Sequence, residues 1–441
     1  MHLRKMSADI FASFWGECLL FVFAFILGVL TARFLGADGK GKFGVIYIAA
    51  GLLSVIFSAR FHLSITYHLS KNKDRLGEII LYAILMGVLS ISCIAVVTIF
   101  FHNFLDKTLL KGVNIRWSVL VLLCASIYLW DLLNALLAGL FLFKVRAIFM
   151  GGSYLLKSLV VLLALGFLTL ELEGLFLLLG SVETIIYSLA VLAILFSAKS
   201  FRFSLSYLLR MLRYSFQSFP GMVSDLVTLR IDVFFINYFS GPSQVGIYTV
   251  AVSMANMLLY IPTAVRSVLM PYVARHMDRE ITSKLSRLLI LVMGLLSVVI
   301  IPLVWIMITP IYGQEFTFSR VLFLFLLPGV MFWGVFILLA SDVEGRGLPW
   351  RISAVSMISA LVMIGLDLVL IPRFNSVGAA IASSITHGIS MILAARLYHR
   401  ITGINPVHVF VPKPEDIQLI FKSVNNLIIS VMRTLAKSST G

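Results

Sequence analysis

Charged and hydrogen-bonding side chains recur at helical spacing inside otherwise apolar runs, where each charge costs about 2.5–3.5 kcal/mol unless it faces protein or water. Over residues 214–237, Ser218, Gly221, Asp225, Thr228 and Asp232 follow at steps of 3, 4, 3 and 4, which places them on one stripe of a helix, with Arg230 off that stripe. Over 244–272 the same spacing runs through Ser253, Asn256, Tyr260, Thr263 and Ser267, with Arg266 beside Thr263. Over 43–67 it runs through Tyr47, Gly51, Ser54, Ser58 and His62, with Arg60 close by, and the run 11–32 carries Ser13 and Glu17. The simplest arrangement turns these four helices toward one shared, water-filled cavity.

Guanidinium groups suit bidentate recognition of phosphate, and a diphosphate would compensate two buried cations. Arg60 and Arg266 are therefore the leading substrate contacts, followed by Arg230 and Lys157, with Asn256 and Tyr260 as hydrogen-bonding neighbours. The competing reading is internal: a salt bridge, or a side chain reaching to the membrane surface. Glu17, Asp225 and Asp232 are candidates for ion coupling, because a buried carboxylate can exchange protons; pairing with the arginines is the alternative. Asp131, Glu183 and Asp367 read as helix-packing or helix-end groups, and His387, among Ser383, Ser384, Thr386 and Ser390, as a hydrogen-bonded packing histidine. Pro220 and Pro262 loosen the helices that carry the stripes.

The elements that must hold these groups are membrane spans. Sixty per cent of the 441 residues are apolar, 12% are charged and the mean hydropathy is +1.03, too little charge to cover a water-facing surface. Twelve runs reach the length of roughly 20 residues that a bilayer requires: 11–32, 43–67, 79–101, 117–140, 147–170, 174–196, 214–237, 244–272, 285–309, 320–340, 352–371 and 377–398. With the N-terminus in the cytoplasm, the inside segments carry 17 Lys and Arg before the basic C-terminal tail is added, and the outside connectors carry 8. Both termini are thus expected in the cytoplasm. The first span has no small-residue cleavage site and reads as a retained helix.

No connector exceeds roughly twenty residues, so a soluble catalytic domain, and with it a polymerase or glycosyltransferase, is not expected. The net charge of +15 is spread over short connectors and offers no basic domain for nucleic acid. Cys18, Cys93 and Cys124 lie in apolar runs without a CxxC pattern and read as buried small hydrophobes, so no metal site is expected. From Pro414 the tail places Ile417, Ile420, Phe421, Val424, Ile428, Val431 and Leu435 at three- and four-residue steps, the pattern of an interfacial amphipathic helix.

The two halves echo each other at an offset near 204. Phe34-Leu-Gly-Ala-Asp-Gly-Lys-Gly-Lys-Phe-Gly44 and Phe239-Ser-Gly-Pro-Ser-Gln-Val-Gly246 each precede a helix, Gly174 and Gly378 each open one, and Arg60 matches Arg266. The architecture expected is an all-α membrane protein: an N-terminal lobe over 1–200 and a C-terminal lobe over 201–400. Each has six helices, with a cavity between them, and a tail follows over 401–441.

Three segments resemble a known family. Arg33-Phe-Leu-Gly-Ala-Asp-Gly-Lys-Gly-Lys-Phe-Gly44, the stretch from Asp232 to Ala251 with Pro262 and Pro271, and Leu370-Ile-Pro-Arg-Phe-Asn-Ser-Val-Gly-Ala-Ala-Ile-Ala382 resemble signatures of polysaccharide-biosynthesis flippases of the Wzx type. The resemblance covers about residues 10–400 and reaches the superfamily shared with multidrug exporters and peptidoglycan-precursor flippases. It implies alternating access and a substrate of undecaprenyl-diphosphate-linked oligosaccharide, whose sugar-diphosphate head crosses the cavity. It also implies a place in the bacterial inner membrane, for O-antigen, capsule or exopolysaccharide assembly. A polysaccharide polymerase and a chain-length regulator are the implied protein partners. No organic cofactor is expected; H+ or Na+ coupling is open, and Asp225 and Asp232 depart from the purely cationic cavity of similar flippases. The alternative within the superfamily is an ion-coupled exporter of organic cations.

Overall fold

The computed structural model describes the chain from Leu19 to Gln418, except residues 109, 114, 199–202, 264, 267, 268, 270–272, 274–279 and 417 and the side chains of residues 70, 71, 143, 217, 218 and 349; of residues 2–18 it describes the backbone alone. The described residues are helical throughout, without a strand. The helices are α1 (His2–Ser58), α2 (Phe61–Lys71), α3 (Leu76–Phe100), α4 (His102–Lys107), α5 (Trp117–Gly139), α6 (Phe143–Val161), α7 (Leu172–Phe196), α8 (Leu205–Ser240), α9 (Pro242–Asn256), α10 (Ile281–Tyr312), α11 (Ser319–Gly345), α12 (Pro349–Thr402) and α13 (Val407–Phe410).

Nine helices among the described residues are long and apolar enough to cross a membrane. Two of them are double. Helix α1 breaks at Gly36, where φ is 64° and ψ −173°, and α12 breaks at Asn375, where φ is 51° and ψ −136°. At both places the chain turns without a loop, so two of the expected segments merge into one element. Helix α8 is not among the nine; its most apolar stretch carries three charges, Asp225, Arg230 and Asp232.

The outer faces carry apolar side chains in the open, with Val298 71% and Leu361 70% exposed, the inverse of a water-soluble surface. Inside, α1, α5–α7 and α8–α12 share one apolar core. A second core joins α2, α3, α5, the end of α7 and the first turns of α8 around Tyr82, Tyr207 and Met211. Helix α8 therefore starts against the first lobe, with Ser64 Oγ donating to the Met211 carbonyl at 2.8 Å, and ends in the second.

The tail after α12 is clasped to the second lobe. Arg287 at the start of α10 donates Nε to Asp416 Oδ2 at 2.6 Å and Nη1 to the His408 carbonyl at 2.6 Å, while Val409 is fully buried. Burial works against the Asp416 charge, but the bonds from Arg287 and the Lys413 N–H outweigh it and hold this carboxyl below the usual aspartate range. The amphipathic pattern expected from Ile417 to Leu435 lies outside the described residues, apart from Gln418.

Candidate functional site between the lobes

Arg60 stands where α1 gives way to α2. The helix is broken there by two consecutive non-glycine residues in the left-handed region, Ala59 at φ 46° and Arg60 at φ 59°. Each such residue costs about 1–3 kcal/mol, so the surrounding structure has to hold the corner. The corner delivers the Arg60 guanidinium to a group of charges contributed by the other lobe: Asp225 of α8, Glu344 of α11 and Arg266 beyond α9. Arg266 Nη2 pairs with Glu344 Oε2 at 2.9 Å, and its side chain is 43% exposed. Asp225 interacts with Arg266, Glu344 and Arg60, and with Ser356 of α12. Two cations and two anions thus act on one another between the lobes, with Arg266 and Glu344 as an ion pair. The arginines that lead the sequence reading are brought together here, and each has an internal acid within its electrostatic reach.

A second polar group lies within the C-terminal lobe. Arg230, Asp232, Tyr248, Asn256, Ser383 and His387 line a cleft between α8, α9 and α12. Arg230 lines this cleft together with Asp232 instead of serving a separate neighbour. Asp232 is buried; Oδ1 accepts the Val233 N–H at 2.8 Å and Oδ2 accepts from Tyr248 Oη, which also contacts Ser383 Oγ at 3.3 Å. Asp367 of α12 is fully buried, neither of its oxygens has a hydrogen-bond partner among the described residues, and its charge acts on Asp232. Two buried carboxylates within reach of each other's charge call for a proton or a cation. His387 packs on Trp333 with ring centroids 4.8 Å apart, and its two buried ring nitrogens make no hydrogen bond of good geometry. It is a packing histidine, though not the hydrogen-bonded one expected.

Lys157 lies elsewhere, inside the N-terminal lobe. Its Nζ sits 3.2 Å from Glu183 Oε1 of α7 and donates to Tyr47 Oη of α1 at 2.5 Å, and the ammonium lies over the Tyr47 and Tyr154 rings. Asn256 lines the C-terminal cleft. Tyr260, 36% exposed, meets Phe21 edge-on at 5.1 Å. The side chains of Glu17, Ser13 and Ser218 lie outside the described residues. Sequence reasoning missed Glu344, Asp367 and Tyr248 as members of these groups. Asp367 carried a signal, a lone acid in the middle of an apolar run, whereas Glu344 resembles any helix-end residue.

Comparison with known proteins bears on the fold and the family. The chain superposes on the lipid II flippase MurJ in an inward closed conformation with a TM-score of 0.67, at 16% identity over 88% of this chain and 87% of that one. An inward-facing multidrug resistance transporter of the MATE family, of the MOP superfamily, gives a TM-score of 0.69 at 11% identity over 87% of this chain and 94% of that one. An outward-facing structure of a MATE family transporter gives 0.59 at 13% identity, covering 89% and 94%. At these identities the likeness establishes the two-lobed fold. No curated protein matches the sequence. Residues 7–277, more than half of the chain, match the family described as polysaccharide biosynthesis protein, and the chain belongs to that family.

Proposed function

We propose that this protein is a flippase that carries an undecaprenyl-diphosphate-linked oligosaccharide across the bacterial inner membrane by alternating access, for O-antigen, capsule or exopolysaccharide assembly. The observation that carries the reading is the convergence of Arg60 and Arg266, one from each half of the repeat, on a single charged group between the lobes. A diphosphate entering there replaces Glu344 on the Arg266 guanidinium with its own oxygens, one charge-assisted bond for another, and brings negative charge to Arg60. The lipid tail stays in the bilayer. The buried pair Asp232 and Asp367 is the coupling site in this reading, with H+ or Na+ as the coupled ion. Both termini face the cytoplasm, and a polymerase and a chain-length regulator take up the flipped product on the opposite side.

The test is export of repeat units in cells carrying Arg60→Ala or Arg266→Ala, read as oligosaccharide exposed at the outer face. Each variant is expected to lower export at least tenfold while the protein persists in the membrane. Unchanged export in both removes the mechanism. The two acids of the same cluster favour a second reading, an exporter of organic cations held by Asp225 and Glu344. A deletion strain that becomes drug-sensitive while keeping normal surface polysaccharide would select it.

A further inference from the structure

We propose that the glycine motif repeated in the two halves is the outer gate of the transporter, and that Glu315 is the residue that holds it shut. The inference rests on the alternating-access reading and adds to it a seam with named parts. Gly36 and Gly241 occupy equivalent places in the repeat and take similar conformations, φ 64° with ψ −173° and φ 85° with ψ 170°. Each ends one helix and starts the next, so each lobe sends a fresh helix N-terminus toward the other. Five residues further along, the equivalent glycines Gly41 and Gly246 meet across the lobe boundary. A Cβ on Gly41 would run into the Pro242 carbonyl, and a Cβ on Gly246 into the Ala37 carbonyl. Backbone therefore lies on backbone at this crossing, with no room for a side chain.

Polar tethers flank the crossing. The break at Gly36 frees the Ala37 N–H, and Glu315 Oε2, from the connector after α10, accepts it at 2.6 Å. A carboxylate at a helix N-terminus also meets the positive end of the helix dipole. In return, Arg33 of the first lobe donates Nε to the Ile311 carbonyl at 2.6 Å and Nη2 to the Pro310 carbonyl, at the C-terminal end of α10, where such acceptors lack helical partners. Across the pseudo-twofold, Lys111 donates Nζ to the Tyr238 carbonyl at 2.9 Å, and Asn237 Nδ2 returns a bond to the Lys111 carbonyl at 2.9 Å.

The symmetry breaks in one informative place. The second of the two helices opens with Pro242, which has no N–H to give, and the tether on that side is Lys111 on the Tyr238 carbonyl. The carboxylate tether thus exists on one side alone. The segments that build the seam belong to the set of connectors that carries 8 Lys and Arg in total against 17 in the other set, which assigns this end to the outside.

The test uses Thr249→Cys, which lines the C-terminal cleft less than one helical turn beyond Gly246, in a chain whose Cys18, Cys93 and Cys124 are replaced by serine. Intact cells are treated with a membrane-impermeant maleimide, and labelling rates are compared for the parent, Glu315→Gln and Gly246→Ala. Glu315→Gln keeps shape and removes the charge, and is expected to raise the rate about tenfold. Gly246→Ala is expected to raise it further, since the added methyl cannot fit the closed seam. Rates equal to the parent in both variants, at parent protein levels in the membrane, overturn the proposal. The assay needs no cargo, so it can fail while the flippase reading stands, and the Arg60 and Arg266 assays can fail while the gate stands.

Discussion

Lys157→Met separates a structural lysine from a substrate-binding one, and the geometry sets the size of the effect. The Lys157 side chain is 8% exposed and that of Glu183 is 3%, and the two groups lie 3.2 Å apart. Removing the ammonium leaves Glu183 as an uncompensated charge inside the lobe, a loss of about 3–5 kcal/mol. Tyr47 Oη also loses its donor, for roughly another 1 kcal/mol. For a lobe of about 200 residues, the combined loss of about 4–6 kcal/mol lowers the melting temperature by roughly 8–24 °C. Replacing both partners, as Lys157→Met with Glu183→Leu, removes the buried charge altogether. The double variant is expected to return to within about 1–2 kcal/mol of the parent, the Tyr47 hydroxyl accounting for the remainder. The assay is a double-mutant cycle of thermal unfolding on purified protein in detergent, run alongside oligosaccharide export in cells. A single variant as stable as the parent would show that the pair does not hold the lobe together. A double variant that is stable yet exports nothing would return Lys157 to the substrate path.

Other outcomes follow from the same geometry. Asp367→Asn, which retains shape and removes one of two adjacent buried charges, is expected to abolish the dependence of export on an imposed H+ or Na+ gradient; reconstituted vesicles with and without the gradient check it. Because Asp416 is held below the ordinary aspartate range, its contribution to the tail clasp is fully present above about pH 4 and disappears as acid protonates it. Hydrogen exchange at residues 407–411 should therefore rise as pH falls below that value, after correction for intrinsic rates, and Arg287→Ala should show the raised exchange already at neutral pH. Gly329→Ala places a methyl 2.7 Å from Ser384 Cα, a backbone atom that cannot swing aside, and is expected to destabilise the protein by about 1–3 kcal/mol in thermal unfolding.

Much of the architecture is legible because a bilayer imposes long apolar runs and concentrates every charge inside them into a signal. Asp225, Asp232, Arg60 and Arg266 stand out in the sequence for that reason. Helical periodicity gives the face of a helix but not the neighbour it meets. Asp225 and Asp232 share one stripe, yet Asp225 acts on Arg266 of its own lobe and across the lobe boundary on Arg60, whereas Asp232 bonds to Tyr248 within its own lobe. Lys157 and Glu183 sit on different helices, and nothing in their spacing reveals that they pair. The turns at Gly36 and Asn375 show in the sequence as connectors, whereas the chain passes from one helix to the next there without a loop.

The corner at Ala59 and Arg60 behaves as a loaded spring. Two left-handed residues in succession store roughly 2–6 kcal/mol, which a straight helix through this point would release. Straightening would also swing the guanidinium away from Asp225 and Glu344, so electrostatic attraction and backbone relaxation oppose each other at a single residue. Glycine at position 59 would discharge part of that tension without touching a charge, shifting the balance between bent and straight forms by mechanics alone.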